Sequence, residues 1–362
     1  MDPSQDVYIY LKAGETDSAY MVKKGRIIIE LNDNDSFELA GDNIIFGTAE
    51  ILLSKTDGYQ HFRIFTVKTS PGVAYSRITP VKVEQFISTY NIGFTIAKNI
   101  AEILVKVNFI LTKKKNEVGE KERLSQEYCK IYTWATDELG YQFEKTRFPW
   151  LEKLQTQAKA SLTYTKGAAF SSFDRKSKFD ISGEQLDEFS KVFPPGANVC
   201  VQGEPGDELY ILKSGKLKVL INDNYITDIE EPGSIIGEMA LLLGETRNAT
   251  LQSVENTTLT VVKKDNLQQV AISQPDFLRN IAVDLSRRVQ VNCTLVNELD
   301  EIIQQNKQQD DSLPSALRQD KYKEELKNLK DEIKELYNKH DMDWLYDIVS
   351  QVTEKMLEAR KI

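Results

Sequence analysis

The chain has 362 residues, of which 41% are hydrophobic and 28% charged, and its formal net charge is −9 at pH 7. This length is enough for two or three domains with full cores, and the composition is ordinary for a soluble globular protein. The acidic balance disfavours non-specific binding to nucleic acids or anionic membranes. The first residues lack a basic and an apolar signal region, and no window reaches 18 apolar residues. We therefore expect neither a signal peptide nor a membrane span.

The cysteines and histidines give no sign of catalytic or metal chemistry. Cys129, Cys200 and Cys293 lie far apart and match neither a metal-site spacing nor a disulfide framework. His61 and His340 have no neighbouring nucleophile or ligand motif, and a Gly-Lys-Ser/Thr phosphate loop is missing. We therefore expect a protein that is not an enzyme, with no catalytic residue, metal or cofactor. The free thiols favour a reducing, cytoplasmic location.

Strand patterns dominate the start of the chain. Runs rich in β-branched and aromatic residues at 7–11, 26–31 and 62–67 predict strands, and clusters at 32–35 and 56–58 predict turns.

The strand-rich pattern recurs later in the chain. Three residues have identical counterparts exactly 190 positions on: Tyr20 and Tyr210, Gly25 and Gly215, Gly47 and Gly237. This internal duplication predicts two similar β-sandwich domains. We call residues 1–112 the first repeat and residues 182–303 the second repeat.

Helical periodicity marks the remaining segments. Residues 113–181 are predicted to be a helical connector, with a Ser- and Lys-rich linker at 167–180, and residues 304–362 a C-terminal helical extension. Within the extension, apolar residues follow a 4,3,4,3 spacing from Tyr322 to Leu336. Two structures fit this spacing: a short coiled coil, which would allow a homodimer, or a helical hairpin that folds back on the protein.

One stretch, residues 237–250, has the features of an anion site. After a turn and two β-branched residues, Gly237 precedes a short run of helix formers, and Arg247 follows the break at Gly244. Free backbone N–H groups at a helix start attract negative charge, and a guanidinium offers a planar pair of donors to a phosphate. Glu238, a lone acid at the same helix start, could accept hydrogen bonds from sugar hydroxyls.

This stretch resembles the phosphate-binding segment of cyclic nucleotide-binding domains, which occur in regulatory subunits of cAMP-dependent protein kinase and in catabolite activators. The family pattern, Gly-Glu-apolar-Ala-Leu followed by Arg-small-Ala-Thr, fits without insertion. Blocks at 193–196, 202–210 and 213–217 match the family's opening strands in order, so the resemblance covers about residues 186–300. It implies an α+β fold class: two cyclic-nucleotide-binding-type β-sandwich (jelly-roll) domains with a helical connector and a helical C-terminal extension.

The resemblance also implies roles for single residues. Arg247 would bind the cyclic phosphate, Glu238 the ribose 2′-hydroxyl, and the backbone N–H groups of Ala240 and Asn248 the phosphate oxygens. The remaining ligand-binding positions of the segment are Gly237, Met239 and Ala249. Asn248 departs from the family's usual Ala, Ser or Thr, where a hydroxyl is associated with contact to guanine or the phosphate. We expect cAMP as the preferred ligand, with cGMP possible, and a cap over the base from the helix around 289–296.

The first repeat lacks the expected chemistry. Thr48 stands at the position of Glu238, and the loop after Gly47 is three residues longer when counted to Gln60, which falls opposite Arg247. Phe62 then falls opposite Ala249, where its ring is expected to fill the phosphate niche. For Arg63 we favour a solvated strand arginine over a substitute for the missing cation.

Several functions remain open. A receptor would signal through an unknown effector protein, whereas a transcription regulator of the catabolite-activator type would need a basic helix-turn-helix near the end. Residues 315–362 carry 10 Lys and Arg against 11 Asp and Glu and no glycine, which disfavours specific DNA binding. A kinase regulatory subunit would need an inhibitor segment before the first repeat, and none is present. A pseudo-receptor scaffold that binds no ligand is the last alternative.

Overall fold

The protein divides into two units in a computed structural model that describes residues 6–55, 62–118, 120–171, 188–308 and 315–360. One unit comprises Met1–Phe109 and Lys176–Cys293, and the other comprises Ile110–Arg175 and Thr294–Ile362. The first unit contains the strands of both repeats, and the second contains the helices of the connector and extension. Most of the predicted linker, and Gln60, lie outside the described residues.

The β-branched runs of the first repeat form one antiparallel sheet. Its strands are β1 (Val7–Tyr10), β2 (Ala19–Glu30), β3 (Ser36–Phe46), β4 (Thr66–Thr69) and β5 (Tyr75–Ile78). The strand order is β1-β4-β2-β3, and β5 pairs with the first part of β2 while β4 pairs with its last part. Alternate residues such as Ile27 and Ile29 are fully buried, as the period of two requires.

The third predicted strand is displaced. The run at 62–67 predicts a strand there, but β4 begins only at Thr66. Phe62 instead makes an isolated bridge with Glu15, and Arg63 exchanges backbone hydrogen bonds with Ala13 and Gly14. These contacts hold the chain in a loop that carries Arg63 inward, so local strand preference is overridden by tertiary contacts.

The second repeat is an antiparallel β-sandwich, as the sequence predicts. Its strands are β6 (Ser190–Phe193), β7 (Asn198–Cys200), β8 (Glu208–Ser214), β9 (Leu217–Ile221), β10 (Asn224–Ile229), β11 (Ile235–Ile236), β12 (Thr250–Ser253) and β13 (Thr257–Lys263). They form two four-stranded sheets, β10-β9-β12-β7 and β11-β8-β13-β6. Tyr210 and Leu212 from one sheet pack with Leu217 and Leu251 from the other in a single core cluster. Burying these inward faces is what stabilises two facing sheets.

Helices complete both units. They are α1 (Thr48–Ser54), α2 (Pro80–Ile87), α3 (Tyr90–Val118), α4 (Glu120–Thr146), α5 (Pro149–Lys159), α6 (Leu162–Ser171), α7 (Glu238–Leu243), α8 (Leu267–Ser273), α9 (Phe277–Gln308), α10 (Ser315–His340) and α11 (Asp343–Ala359). The predicted apolar stripe of α9 is buried from Phe277 to Val289. None of the described helices has a stretch long and apolar enough to cross a membrane.

The C-terminal extension forms a hairpin. Helices α10 and α11 are separated by only two residues, and both pack against α4 and against each other within the second unit. Leu326 and Ile333 of the predicted stripe are fully buried there, as are Leu345 and Val352 of α11. Of the two arrangements predicted from the spacing, the protein therefore adopts the hairpin, because the apolar face is buried against helices of the same chain.

Candidate functional site

A left-handed glycine opens the predicted anion site. Strand β11 ends at Ile236, Gly237 adopts φ 81°, and α7 begins at the next residue. Helix α7 ends at Leu243, and the next residue, Gly244, is also left-handed and donates its N–H to the Ala240 carbonyl. A non-glycine residue at such φ values is strained, which explains a glycine at each end of this short helix.

Arg247 is held inside the second repeat by neutral groups. Its side chain is only 5% exposed. Nη1 donates to the Gly237 carbonyl at 3.3 Å, Nη2 donates to the Tyr210 hydroxyl at 3.3 Å, and the guanidinium lies 5.1 Å from the centre of the Tyr210 ring. Nε has no hydrogen-bond partner, and within the described ranges no carboxylate forms an ion pair with Arg247. A buried cation without a counter-charge is costly, so this position is suited to an anionic ligand.

Backbone contacts fix the loop that carries Arg247. Its N–H donates to the Glu204 carbonyl at 2.8 Å, and its carbonyl accepts from the Gly203 N–H at 2.9 Å. Tyr210 is fixed in turn, because its hydroxyl donates to the Glu208 carboxylate at 3.0 Å. Burial raises the pKa of Tyr210, so its hydroxyl stays protonated at neutral pH. The sequence places Tyr210 in the repeat pattern and in the matching block at 202–210, but its contact with Arg247 could not be read from the sequence.

Glu238 has a partner that the sequence did not reveal. Glu238 is 4% exposed as a residue, and its carboxylate accepts a hydrogen bond from Nη2 of Arg288 on α9. Arg288 also lies 3.3 Å from Asp284, one turn earlier on the helix, and its side chain is 40% exposed. Glu238 therefore pairs with a charged residue 50 positions away, a contact that the prediction of a single acid at this helix start did not include. Arg288 carries no motif of its own, so the sequence offered no signal for this contact.

The remaining predicted residues surround the same helix start. Ala240 is buried in the first turn of α7, where backbone N–H groups lack helical acceptors, and Asn248 is exposed beside Arg247. Of the residues considered for the cap, Val289 and Cys293 are buried, and Asn292 donates to Asn108 on α3 at 2.5 Å. The structure thus brings the predicted phosphate and ribose residues together around α7.

The first repeat contains the same arrangement around Arg63. Gly47 has φ 73°, α1 begins at the next residue, and Nη1 of Arg63 donates to the Gly47 carbonyl at 3.4 Å. Arg63 exchanges backbone hydrogen bonds with Ala13 and Gly14 as Arg247 does with Gly203 and Glu204. The distance along the chain is 16 residues from Gly47 to Arg63, against 10 from Gly237 to Arg247.

Three expectations for the first repeat are therefore wrong. Arg63 is 3% exposed and occupies the position of Arg247, so it is not a solvated strand arginine. The loop is longer by six residues and not by three, because the arginine is reached at Arg63 and not at Gln60. Phe62 is 52% exposed and does not fill the niche. Without this loop geometry the sequence could not show which residue faces Gly47.

Comparison with known proteins finds a domain family that matches part of the second repeat. Residues 190–274 match the family model described as cyclic nucleotide-binding domain. The chain is 38% identical over 107 residues to a cGMP-dependent protein kinase of Plasmodium berghei (strain Anka), a match that covers 25% of the chain and 12% of the kinase. A cGMP-dependent protein kinase of Eimeria tenella is 36% identical over 107 residues, which cover 29% of the chain and 11% of the kinase.

The chain therefore matches little more than a tenth of the length of these two kinases. A solved structure described as Sp-2Cl-cAMPS bound to PKAR CBD2 is 22% identical and covers 24% of this chain and 60% of its own, with a TM-score of 0.22.

Proposed function

We propose that this chain is a receptor that binds one 3′,5′-cyclic nucleotide in its second repeat, starting from the match of residues 190–274 to a cyclic nucleotide-binding domain. In this proposal the receptor is cytoplasmic and has no catalytic activity. The observation that carries the proposal is Arg247, a buried cation whose described contacts are all to neutral groups. A cyclic phosphate keeps one negative charge, which would pair with the guanidinium through the unpartnered Nε and the remaining N–H groups of Nη1 and Nη2.

Phosphate and ribose would occupy neighbouring positions in this proposal. The first-turn N–H groups near Ala240 supply further donors for the phosphate oxygens. Glu238 lies at the start of the same helix and would accept a hydrogen bond from the ribose 2′-hydroxyl. Its present partner, Arg288, belongs to α9. Ligand binding at Glu238 therefore acts on a contact between the β-sandwich and α9, and this contact is where we propose that the signal to an effector protein begins.

For the base we propose a preference for cAMP. Asn248 is exposed next to Arg247 and lacks the hydroxyl that, by the family resemblance, contacts guanine or the phosphate. The two kinases with similar sequences are named for cGMP, so cGMP is the ligand against which the preference must be measured.

Calorimetric titration of the whole chain with cAMP, and separately with cGMP, tests the proposal. We expect one site per chain and tighter binding of cAMP. At a hundred times its dissociation constant, a ligand stabilises the folded state by about 2.7 kcal/mol, which raises Tm by roughly 5–10 °C for a domain of this size. A titration with no heat, or with two equivalent sites per chain, contradicts the proposal.

A pair of glycine substitutions tests the position of the guanidinium. A Cβ at Gly237 would lie 2.4 Å from Nη1 of Arg247, whereas a Cβ at Gly244 would meet nothing within 4 Å. Both residues have left-handed φ values, so Gly237→Ala and Gly244→Ala should each lose about 1–2 kcal/mol of stability through backbone strain. Only Gly237→Ala displaces Arg247, and we expect it alone to weaken cAMP binding, by about tenfold.

Urea unfolding and calorimetric titration measure the two effects separately. Equal losses of affinity in both variants would show that the strain, and not the displaced guanidinium, is responsible.

A further inference from the structure

A tyrosine in the core of the second repeat contacts the guanidinium of Arg247 in two ways. Tyr210 is 2% exposed and belongs to β8, where it pairs with Ile236, the residue before the left-handed Gly237. Its hydroxyl accepts a hydrogen bond from Nη2 of Arg247 at 3.3 Å, and the centre of its ring lies 5.1 Å from the same guanidinium. Because strand pairing fixes Tyr210 beside the segment that opens the site, these contacts determine where the guanidinium lies.

The direction of the Tyr210 hydroxyl is determined by Glu208. A tyrosine hydroxyl has one proton to donate and lone pairs that can accept. The two residues are two positions apart on β8, so their side chains share one face of the strand, and the hydroxyl donates its proton to the Glu208 carboxylate at 3.0 Å. Since the proton is used in this bond, the lone pairs of the hydroxyl remain for Nη2 of Arg247.

This arrangement holds the guanidinium without cancelling its charge. The described hydrogen bonds of the Arg247 side chain go to a backbone carbonyl and to the Tyr210 hydroxyl, and both acceptors are neutral. The Glu208 carboxylate bonds to the far side of that hydroxyl. A neutral acceptor fixes the direction of the guanidinium N–H groups and leaves the positive charge available to an anionic ligand.

The first repeat has the tyrosine but not the glutamate. Counting back 190 positions, Tyr20 corresponds to Tyr210, and Ser18 stands where the glutamate would be. Nη2 of Arg63 donates to the Ser18 carbonyl and lies 3.6 Å from Asp17, while the guanidinium lies 6.0 Å from the centre of the Tyr20 ring. The arginine of the first repeat is therefore held by a backbone carbonyl and an ion pair, and the arginine of the second by a tyrosine hydroxyl.

We propose that Tyr210 is the positioning residue of the phosphate site and that Glu208 orients its hydroxyl, a role that rests on the binding of a cyclic nucleotide by Arg247 proposed above. Both residues act through Arg247 and not on the nucleotide itself. They hold the guanidinium in place before the ligand arrives, so binding does not have to order a long, flexible side chain.

NMR of the ligand-free full chain, isotope-labelled at arginine, tests the positioning. Hydrogen bonds at both terminal nitrogens slow the rotation of a guanidinium, so the Nη protons of Arg247 should give separate signals, identified by their absence in Arg247→Ala. We expect Tyr210→Phe, which removes only the hydroxyl, to average these signals, and Glu208→Ala to broaden them. Tyr20→Phe is the matched control in the first repeat and should leave them unchanged.

Calorimetric titration with cAMP measures the consequence for binding. We expect Tyr210→Phe to weaken binding by roughly two- to tenfold, the range of one ordinary hydrogen bond. In an Arg247→Ala background the same substitution should change affinity by less than about twofold, because there is no guanidinium left to position. Lys263→Ala removes an exposed cation that lies 3.8 Å from Glu208, and we expect it to stay within about twofold of the parent.

Two results would overturn the inference. One is a set of Arg247 signals that is averaged already in the parent, or that is the same in the parent and in a Tyr210→Phe protein shown by circular dichroism to be folded. The other is an equal loss of affinity from Tyr210→Phe with and without Arg247, which would assign the effect to packing. A parent that binds no cyclic nucleotide would contradict the proposed function, and the NMR comparison would still decide whether Tyr210 holds Arg247.

Discussion

Arg247→Ala is expected to weaken cAMP binding by roughly ten- to two-hundred-fold. In the proposed complex the cyclic phosphate would pair with the Arg247 guanidinium, which is 5% exposed, so water could screen little of the charge. A hydrogen bond to a charged group contributes about 1.5–3 kcal/mol, and each 1.4 kcal/mol is a factor of about ten in affinity. Calorimetric titration of folded protein measures the loss directly.

Arg247→Lys separates charge from geometry. An ammonium keeps the positive charge but cannot at once donate to the Gly237 carbonyl, donate to the Tyr210 hydroxyl and present a planar pair of donors to the phosphate. We therefore expect Arg247→Lys to lose affinity as well. Arg63→Ala is the matched control, because it removes the corresponding arginine of the first repeat, and it should change affinity by less than about twofold. If Arg247→Ala binds cAMP as tightly as the parent, the assigned site is wrong.

Glu238→Ala is expected to produce a loss of similar size, about ten- to two-hundred-fold, through the ribose. Glu238 is 4% exposed, and its carboxylate would accept a charge-assisted hydrogen bond from the 2′-hydroxyl. The diagnostic ligand is 2′-deoxy-cAMP, which lacks this donor. The parent should bind 2′-deoxy-cAMP much more weakly than cAMP, whereas Glu238→Ala should bind the two ligands equally.

The control for this experiment is Glu245→Ala. Glu245 is an exposed carboxylate in the loop between α7 and Arg247, so this substitution makes the same charge change without touching the helix start. We expect its affinities to stay within about twofold of the parent for both ligands, because exposed charges at a distance are screened by salt. A parent protein that does not discriminate between cAMP and 2′-deoxy-cAMP would remove Glu238 from the ribose position.

The sequence alone determined the elements whose signals are local. The β-sandwich of the second repeat follows from alternating strands and turn glycines, and its candidate site lies within one continuous segment from Gly237 to Ala249. The left-handed glycine, the short helix and Arg247 are ten residues apart or less. A segment of that length has few ways to fold between two strands, so spacing and residue type together predict it.

Only the tertiary structure decided the contacts made across the chain. Arg288 reaches Glu238 from a helix that begins almost forty residues later, and nothing in its local sequence marks it. Arg63 faces Gly47 because its backbone hydrogen bonds to Ala13 and Gly14 fix the end of the loop that follows Gly47. This loop is longer than the one between Gly237 and Arg247, so counting residues from the glycine does not identify Arg63 as the counterpart of Arg247. Contacts between side chains far apart in the sequence depend on how loops close and which residues become buried. The hydrophobic periodicity of a single segment contains neither kind of information.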